Sequence, residues 1–490
     1  MRTALVAICA VATACGSSSS NSTPSGDDGG ADANAGQDSE PQQDSAGGSD
    51  SPSGDAQPHD SAADSKPPPA CGTGGWLTYG HDGARTFASD ACINGPLTKS
   101  WAYAPAPPTG HTLNAVQHAL ATSDAIYLQW AASDGMYVGT TAADRLSLAG
   151  ARLWTFDSGS DANMGNWASL GSPVTTDAGV VQTLVVQDDG VYFLDLTTGK
   201  SRAGTGVDWW GQSIPDAKGG VWFVDTSKSD GPGLFVGQLD SAAKIVWQQN
   251  KQGTMCGDSL ADQMGGIALD GGVLFYAPLY VAGGTVQPTF KSGLYAFDAV
   301  TGTPKWNVAS TPSSVISAGN GLVYGFEAGA LVARSQSDGS SKWSKPLSGA
   351  GAQAPVLAAG LVIAAGATGV SAFDATTGAP AWSTPITGAA AASWVGTLTN
   401  GCAGSQNQGG AVATTLAAAV PSGTLVVTAS DGVHVLSLAT GQDKWHGAVP
   451  GAVNAVHDPV LVGDMVYVVD SPPTPYLGFG PGQLIALKGS

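Results

Sequence analysis

The sequence predicts an all-β protein in which repeated sheets close into a ring. One stretch recurs along the chain as an alternating apolar strand, a Thr-Gly turn and a Trp that opens the next strand. No part of the chain after residue 70 carries a sustained 3.6-residue apolar period. Gly is abundant, at 69 residues, which suits short strands and tight turns. Because each repeat holds four strands, we expect four-stranded antiparallel blades arranged as a β-propeller.

The N-terminus has the features of an export signal. Arg2 precedes an apolar run, residues 4–14, that is too short to span a bilayer and is typical of a signal-peptide core. The run ends in Ala12-Thr13-Ala14-Cys15, which resembles a bacterial lipobox. The resemblance implies a signal peptide over residues 1–14 and a lipid on Cys15. The alternative is ordinary cleavage after the Ala-x-Ala sequence, which would release a free secreted protein.

Residues 15–70 consist almost wholly of Ser, Gly, Asp, Pro, Ala and Gln. A segment with so few apolar residues cannot bury a core, so we expect a disordered acidic tether. As a flexible coil it would reach about 40 Å. The folded body is therefore expected over residues 71–490, held near a membrane through the lipid only.

Three copies of the repeat define the blades. Residues 293–306 read GLYAFDAVTGTPKW, and residues 369–382 and 432–445 are close copies. A looser copy begins at Gly190 and has Ala203 near the place of its Trp. The tryptophans that follow the turns are Trp101, Trp154, Trp247, Trp306, Trp343, Trp382 and Trp445.

The two ends of the body predict how the ring closes. Residues 483–488 copy the third strand of a blade, but the chain ends before any Trp follows. Residues 96–101 can supply the missing outer strand from the other end of the body. The count is then eight blades, and pairing of the N- and C-terminal strands removes the open sheet edges that would otherwise aggregate.

The repeat resembles the PQQ-like repeat of eight-bladed quinoprotein propellers. The resemblance covers roughly residues 76–488 and includes the opening WLTYGHDGART of residues 76–86, which is similar to the lead-in of such propellers. It implies that the seven tryptophans pack between neighbouring blades. The family contains both dehydrogenases and cofactor-free scaffolds, so the resemblance predicts the fold better than the function.

The cysteines of the body are expected to form disulfides, as an exported protein can keep them. Cys71 and Cys92 flank the lead-in and are predicted to pair. Cys256 and Cys402 fall in long connections between blades, which emerge on one face of a propeller, so we expect a second bridge there. No Cys or His spacing in the sequence indicates a metal site.

The sequence favours a protein without catalytic residues or cofactor. The net charge of −19 argues against nucleic acid as a partner. The resemblance to quinoproteins implies PQQ beside a calcium ion bound by Glu, Asn and Asp, under a disulfide of adjacent cysteines. This chain has no adjacent cysteines, and Glu327, the one Glu of the body, is predicted to lie on the solvated surface of a hairpin turn. The histidines are scattered, and His434 alternates with valines within a strand, so we expect neither PQQ nor calcium.

Four further tryptophans suggest a binding surface. Trp167, Trp209, Trp210 and Trp394 lie in or beside the connections between blades. Together they would form an aromatic patch suited to a protein or glycan partner. The alternative is that they cap the long loops internally.

Two functions from different classes remain. The favoured one is a monomeric, lipid-anchored, non-enzymatic binding or scaffold protein of the cell envelope, in the outer rather than the inner membrane. This combination is similar to the family of the propeller lipoprotein of the outer-membrane β-barrel assembly machinery, which implies a role in assembling outer-membrane proteins. The alternative is an exported PQQ-dependent oxidoreductase or a polysaccharide-processing enzyme that uses the loop face.

Overall fold

The structure is a computed structural model of the 490-residue chain. It describes residues 70–107, 109, 113–133, 138–157, 169–170, 174–176, 179–187, 191–205, 213–225, 233–252, 266–277, 293–310, 315–347, 353–389, 414–471 and 482–490. Every regular element among them is a β-strand, and this part of the chain has no helix long and apolar enough to cross a membrane.

Two strands precede the first blade, and the next eighteen form the first four blades, including a small extra hairpin in blade 2. The leading strands are β1 (Ala88–Ser89) and β2 (Thr98–Tyr103). Blade 1 contains β3 (Leu113–Ala121), β4 (Ala125–Ser133), β5 (Val138–Ser147) and β6 (Arg152–Asp157). Blade 2 contains β7 (Ser169–Leu170), a small hairpin of β8 (Val174–Thr176) and β9 (Gly179–Val181), then β10 (Thr183–Gln187), β11 (Val191–Asp195) and β12 (Ser201–Thr205). Blade 3 contains β13 (Ser213–Pro215), β14 (Val221–Asp225), β15 (Gly233–Leu239) and β16 (Ile245–Gln252). Blade 4 contains β17 (Gly266–Asp270), β18 (Val273–Ala277), β19 (Gly293–Asp298) and β20 (Pro304–Ala309).

The remaining strands complete the ring. Blade 5 contains β21 (Ser317–Gly319), β22 (Leu322–Glu327), β23 (Ala330–Ser335) and β24 (Ser341–Pro346). Blade 6 contains β25 (Val356–Ala358), β26 (Leu361–Gly366), β27 (Gly369–Asp374) and β28 (Pro380–Pro385). Blade 7 contains β29 (Thr415–Ala419), β30 (Thr424–Ala429), β31 (Gly432–Ser437) and β32 (Asp443–Gly447). Blade 8 contains β33 (Val456–Val462), β34 (Met465–Asp470) and β35 (Gln483–Lys488).

These strands confirm the predicted eight-bladed antiparallel propeller. The outer strand of blade 8 is β2, which pairs antiparallel with β35 and so joins the two ends of the body. Two features add to the predicted plan. Strand β1 pairs in parallel with β29 and makes blade 7 five-stranded, and the β8–β9 hairpin is an additional two-stranded sheet in blade 2.

The turn of the repeat is held by its Asp and Thr. The Asp298 side chain accepts hydrogen bonds from the backbone N–H groups of Val300 and Thr301 and from the Thr301 hydroxyl, at 3.0–3.2 Å. Asp374 makes the same set of bonds in blade 6. Hydrogen bonds from Thr301 and Thr377 lower the pKa of Asp298 and Asp374. The repeated Asp and Thr therefore specify the turn between the two outer strands of a blade.

Six of the seven tryptophans lie over the turn of the following blade. Each of the first six donates its indole N–H to a turn carbonyl at 2.8–3.1 Å, in the pairs Trp101–Leu148, Trp154–Leu196, Trp247–Ala299, Trp306–Gln336, Trp343–Ala375 and Trp382–Leu438. The ring covers the Gly of the same turn so closely that a Cβ there would lie 2.4–2.8 Å from the indole, at Gly150, Gly199, Gly302, Gly339, Gly378 and Gly441. Trp445 lies over Gly95 instead, at the joint where the ring closes.

Blade 2 lacks this tryptophan, and the blade that follows it has lost the turn glycine. Ala203 occupies the Trp position in β12, and it packs against the cluster that contains Ala243. Ala243 stands in the turn of blade 3 with a φ of 59°, where the other turns have Gly. An indole and a turn Cβ cannot share this space, so the two substitutions compensate each other.

The lead-in forms an axial segment, residues 76–92, that visits the innermost strand of every blade. Backbone hydrogen bonds of 2.7–2.8 Å join it to seven blades, in the pairs Trp76–Ala121, Leu77–Leu170, Gly83–Leu269, Ala84–Ala318, Thr86–Leu357, Phe87–Ala418 and Cys92–Gly463. In the remaining blade, the Thr78 hydroxyl donates to the Ser213 carbonyl at 2.9 Å. These contacts lie mostly towards the C-terminal ends of the inner strands. The axial segment therefore ties all eight blades together at one end of the ring axis.

A disulfide links the start of the body to the last residue of the axial segment. The predicted bridge between Cys71 and Cys92 is present. The backbone N–H of Gly72 donates to the Asp90 carbonyl at 2.8 Å beside it. The bridge therefore anchors the start of the body to the segment that closes the ring.

Candidate functional site

Two clusters of titratable side chains among the described residues are candidates for function, one near the ring axis and one on the outer strands of blade 7. The axial cluster consists of Tyr79 and Arg85 from the axial segment, His118 from β3, and His457 and Asp458 from β33. The inner strands of blades 1 and 8, β3 and β33, are neighbours in the ring. The sequence analysis did not single out any of these residues, because their proximity depends on ring closure.

Arg85 is completely buried and binds backbone rather than a carboxylate. Its guanidinium donates to the carbonyls of Tyr79, Ser213 and Ile267, which belong to the axial segment, blade 3 and blade 4. Its Cζ also lies 5.7 Å from the centre of the Tyr79 ring. Burial lowers the pKa of Arg85 to about 10, which still leaves the group charged at neutral pH. Arg85 therefore acts as a cross-link between blades.

His118, His457 and Asp458 form the other side of the axial cluster. His118 lies 5.8 Å from the Tyr79 ring centre, and His457 Nδ1 lies 3.0 Å from Asp458 Oδ2. Burial lowers the pKa of His118 to about 4, against an opposing effect of the Asp458 charge. Burial by itself would raise the pKa of Asp458, but the hydrogen bond and charge of His457 and the charge of His118 bring it below its usual value. At neutral pH the cluster thus holds a neutral imidazole beside an ionised carboxylate.

The backbone of β33 is irregular at Asp458. Asp458 has a φ of 50°, in the left-handed region, and lies where the pairing of β33 with β34 shifts register between His457 and Val460. Its N–H donates to the Thr415 hydroxyl of β29 at 2.9 Å. The irregularity thus links the inner strands of blades 7 and 8.

The blade 7 cluster contains His434 of β31 with Asp443 and His446 of β32. His434 and His446 are cross-strand partners, and their rings stack with centres 5.3 Å apart and planes at 22°. His434 Nδ1 lies 2.8 Å from Asp443 Oδ2, and His446 Nδ1 lies 3.9 Å from the same oxygen. The sequence analysis treated these histidines as unrelated. Aligning them with the repeat would have shown that they face each other.

The seven docking tryptophans take the positions described above, and Cys71 and Cys92 are bonded to each other. The remaining predicted site residues lie outside the described residues: Cys15, Cys256, Cys402, Trp167, Trp209, Trp210 and Trp394. The lipidation, the second bridge and the aromatic patch therefore stay predictions.

Glu327 differs from its prediction as a solvated surface residue. It does end β22 at a hairpin turn, but its carboxylate accepts two hydrogen bonds of 2.7 Å from Arg334, and both side chains are only about 15% exposed. The cross-strand Arg334 was overlooked because the sequence shows only the turn. The one Glu of the body is thus bound within blade 5, and the described residues do not fit the Glu-containing calcium set that the resemblance to quinoproteins implies.

Comparisons with known proteins agree with this architecture. Among solved structures, a europium-containing methanol dehydrogenase is 12% identical with a TM-score of 0.57, over 85% of this chain and 98% of that chain. A quinohemoprotein alcohol dehydrogenase from Pseudomonas putida HK5 is 13% identical with a TM-score of 0.54, over 85% and 80% of the two chains. BamB from Moraxella catarrhalis is 15% identical with a TM-score of 0.49, over 80% and 100%. The likeness to the two dehydrogenases shows the fold alone.

The sequence itself identifies the family. No curated protein matches it significantly. Residues 230–399 and 369–488 match the family described as outer membrane protein assembly factor BamB. The two matches together span residues 230–488, slightly more than half of the chain. The chain therefore belongs to this family of PQQ-like β-propellers.

Proposed function

We propose that this protein is a non-enzymatic binding or scaffold propeller of the bacterial cell envelope that takes part in assembling outer-membrane proteins. Membership of the family described as an outer membrane protein assembly factor is the observation that carries the proposal. The two hydrogen bonds from Arg334 to Glu327 support it, because they engage the only Glu of the body, which is then not available to an axial calcium ion.

The architecture suits a scaffold that presents one rim to a partner. Strand ends flank the predicted tryptophan patch in pairs: β6 and β7 around Trp167, β12 and β13 around Trp209 and Trp210, and β28 and β29 around Trp394. In each pair an outer strand ends and the inner strand of the next blade begins, so all three pairs lie at the same rim. The axial segment binds mainly towards the opposite ends of the inner strands. Large aromatic side chains are frequent anchors of protein interfaces.

An affinity experiment tests this function. The full chain, tagged at its C-terminus, is crosslinked in living Gram-negative cells and purified from the solubilised envelope. We expect it to recover the insertase of the barrel-assembly machinery. A variant with Trp167, Trp209, Trp210 and Trp394 all changed to Ala should lose the partner while keeping the wild-type unfolding midpoint. Preparations that repeatedly contain no insertase would count against the proposal.

The membrane anchor is a separate part of the proposal. We place the protein in the outer membrane, held by a lipid on Cys15. Metabolic labelling with a palmitate analogue should mark the wild type and leave Cys15→Ala unlabelled. Equal labelling of both would show that Cys15 does not carry the lipid.

The axial cluster supports an enzyme as the second candidate. Imidazole and carboxylate groups can transfer protons, and His457 Nδ1 lies 3.0 Å from Asp458 Oδ2 in this cluster. The candidate reactions are oxidation with PQQ or processing of a polysaccharide. Native mass spectrometry of the full chain with PQQ and calcium tests whether the protein binds the cofactor of the first reaction. A stoichiometric mass increase would overturn the scaffold proposal, and an unchanged mass would support it.

A further inference from the structure

We propose that His434, Asp443 and His446 of blade 7 bind a divalent transition-metal ion of the Zn²⁺ type, with Asp431 as a supporting partner. The ligating atoms of the first three residues all lie within 4.8 Å of one another. This site is independent of the proposed scaffold function and of the axial cluster.

The separations match a site that needs only small adjustments. Zn–N and Zn–O bonds of about 2.1 Å in a tetrahedron place ligand atoms about 3.4 Å apart. The observed distances from Asp443 Oδ2 are 2.8 Å to His434 Nδ1 and 3.9 Å to His446 Nδ1. The value for a zinc site lies between them, and the ligand atoms of all three residues lie within 4.8 Å of one another, so a rotation of His446 would bring both imidazoles and the carboxylate onto one ion. His446 is 70% exposed and can rotate to do so.

A β-bulge places the two residues of β32 on one face. Asp443 and His446 are three residues apart, which would put them on opposite faces of a regular strand. The register between β31 and β32 shifts between Val435 and Leu436, and Lys444 is the extra residue on the β32 side. This shift turns Asp443 to the face that carries His434 and His446. The same irregularity recurs in the other blades, so the repeat fold itself supplies the geometry.

Comparison with the other blades shows that the ligating residues are specific to blade 7. The positions of His434 and His446 are occupied by these pairs in the remaining blades: Asp144–Thr155, Tyr192–Gly204, Gly237–Gln248, Tyr295–Asn307, Val332–Ser344, Ser371–Ser383 and Ile485–Ala102. The position of Asp443 is Pro in blades 4 and 6 and Ser in blade 5. The fold therefore does not require two histidines and a carboxylate here.

Asp431 completes the arrangement expected around a ligating histidine. Its Oδ1 lies 3.2 Å from His434 Nε2, on the far side of the ring from Asp443. A histidine that binds zinc through one ring nitrogen commonly donates its other N–H to a carboxylate, which sets the tautomer and the ring orientation. His434 is nearly buried, so its ring is held between the two carboxylates.

The ligand set indicates the chemical class of the ion. Two imidazoles and one carboxylate suit zinc, copper or nickel, whereas magnesium and calcium prefer oxygen ligands alone. The exposure of His446 leaves the fourth coordination position open to water or to a side chain from another molecule. Both ring nitrogens of His434 face carboxylate oxygens, Nδ1 that of Asp443 and Nε2 that of Asp431.

Titration of the full, metal-free chain with Zn²⁺, followed by isothermal calorimetry and native mass spectrometry, tests the site. We expect one tightly bound zinc, and no comparable binding of Mg²⁺ or Ca²⁺. His446→Ala removes an exposed ligand and should abolish this binding without changing the unfolding midpoint. Asp431→Asn should weaken it roughly 10- to 100-fold, as expected for a supporting partner.

Asp464→Asn is the matched control, because Asp464 is an exposed acidic residue that pairs with Lys488 in blade 8. It should bind zinc as the wild type does. Cobalt(II) provides a second readout, since a tetrahedral site gives strong visible absorption that His446→Ala should remove. Absence of stoichiometric zinc in the wild type, or its retention in His446→Ala, would overturn the proposal. Either result would leave His434 as a buried histidine within hydrogen-bond distance of Asp431 and Asp443.

Discussion

Replacement of Arg85 by Met tests whether the axial segment stabilises the ring. Methionine retains much of the apolar stem but leaves the carbonyls of Tyr79 and Ile267 without their guanidinium donor. The Ser213 carbonyl still accepts a hydrogen bond from the Thr78 hydroxyl at 2.9 Å, so it keeps a donor. Loss of a charged donor costs about 1–3 kcal/mol for each of these two buried acceptors, which predicts a loss of about 2–6 kcal/mol in the free energy of unfolding.

The substitution also removes a buried charge, which by itself would favour folding. This gain should not cancel the loss. Removing a buried ion is neutral or stabilising when its partners are replaced along with it. Here the partners are backbone carbonyls, which no side-chain substitution removes. The variant should therefore be clearly less stable than the wild type.

Urea unfolding at pH 7, followed by tryptophan fluorescence, measures the difference. Lys488→Met is the control, because Lys488 pairs with Asp464 and both side chains are 57% exposed, and such a pair contributes about 0–1 kcal/mol. If Arg85→Met unfolds within ~0.5 kcal/mol of the wild type, the axial segment does not hold the blades as described.

Three further predictions concern the docking positions and the axial cluster. Trp343→Ala should lower the free energy of unfolding by about 3–5 kcal/mol, because it empties a buried space over Gly378 and removes the hydrogen bond to Ala375; a loss below ~1 kcal/mol in urea unfolding would contradict this. Ala203→Trp should destabilise the protein by about 1–3 kcal/mol through collision with Ala243, and adding Ala243→Gly should recover part of the loss. A double-mutant cycle by urea unfolding measures this coupling, and strictly additive effects would refute it. Since burial lowers the pKa of His118 from 6.5 to about 4, the unfolded chain takes up this proton first as the pH falls, so stability should decline between pH ~6.5 and ~4 by about 3 kcal/mol. His118→Phe should flatten that part of the stability curve; an unchanged slope would show that His118 is not the group responsible.

The repeat made the fold predictable from local pattern alone. Alternating apolar residues, an Asp and Thr that hold the turn, and a Trp after it recur at intervals, and each of these acts over a few residues. Residues 483–488 and 96–101 could also be matched as parts of one blade, because each lacked what the other supplied. The Cys71–Cys92 bridge could be predicted for the same reason, because both cysteines border the short lead-in segment.

The candidate sites depended on contacts that local pattern does not contain. In the sequence, Arg85 is only one residue of the lead-in motif. Its role depends on the carbonyls of blades 3 and 4, which the closed ring brings to it. His118 and Asp458 are 340 positions apart in sequence (458 − 118) and become neighbours only because blade 8 closes against blade 1.

Blade 7 shows the same difference between what the sequence and the tertiary structure determine, here among residues close in sequence. The sequence by itself determined the strands that carry His434 and His446, but the bulge at Lys444 decided that Asp443 joins them. Strand alternation would have assigned Asp443 to the other face, because side chains three residues apart point in opposite directions unless an extra residue intervenes. The sequence thus determined the blades and their number, whereas ring closure and strand register, which arise only in the tertiary structure, decided which side chains meet.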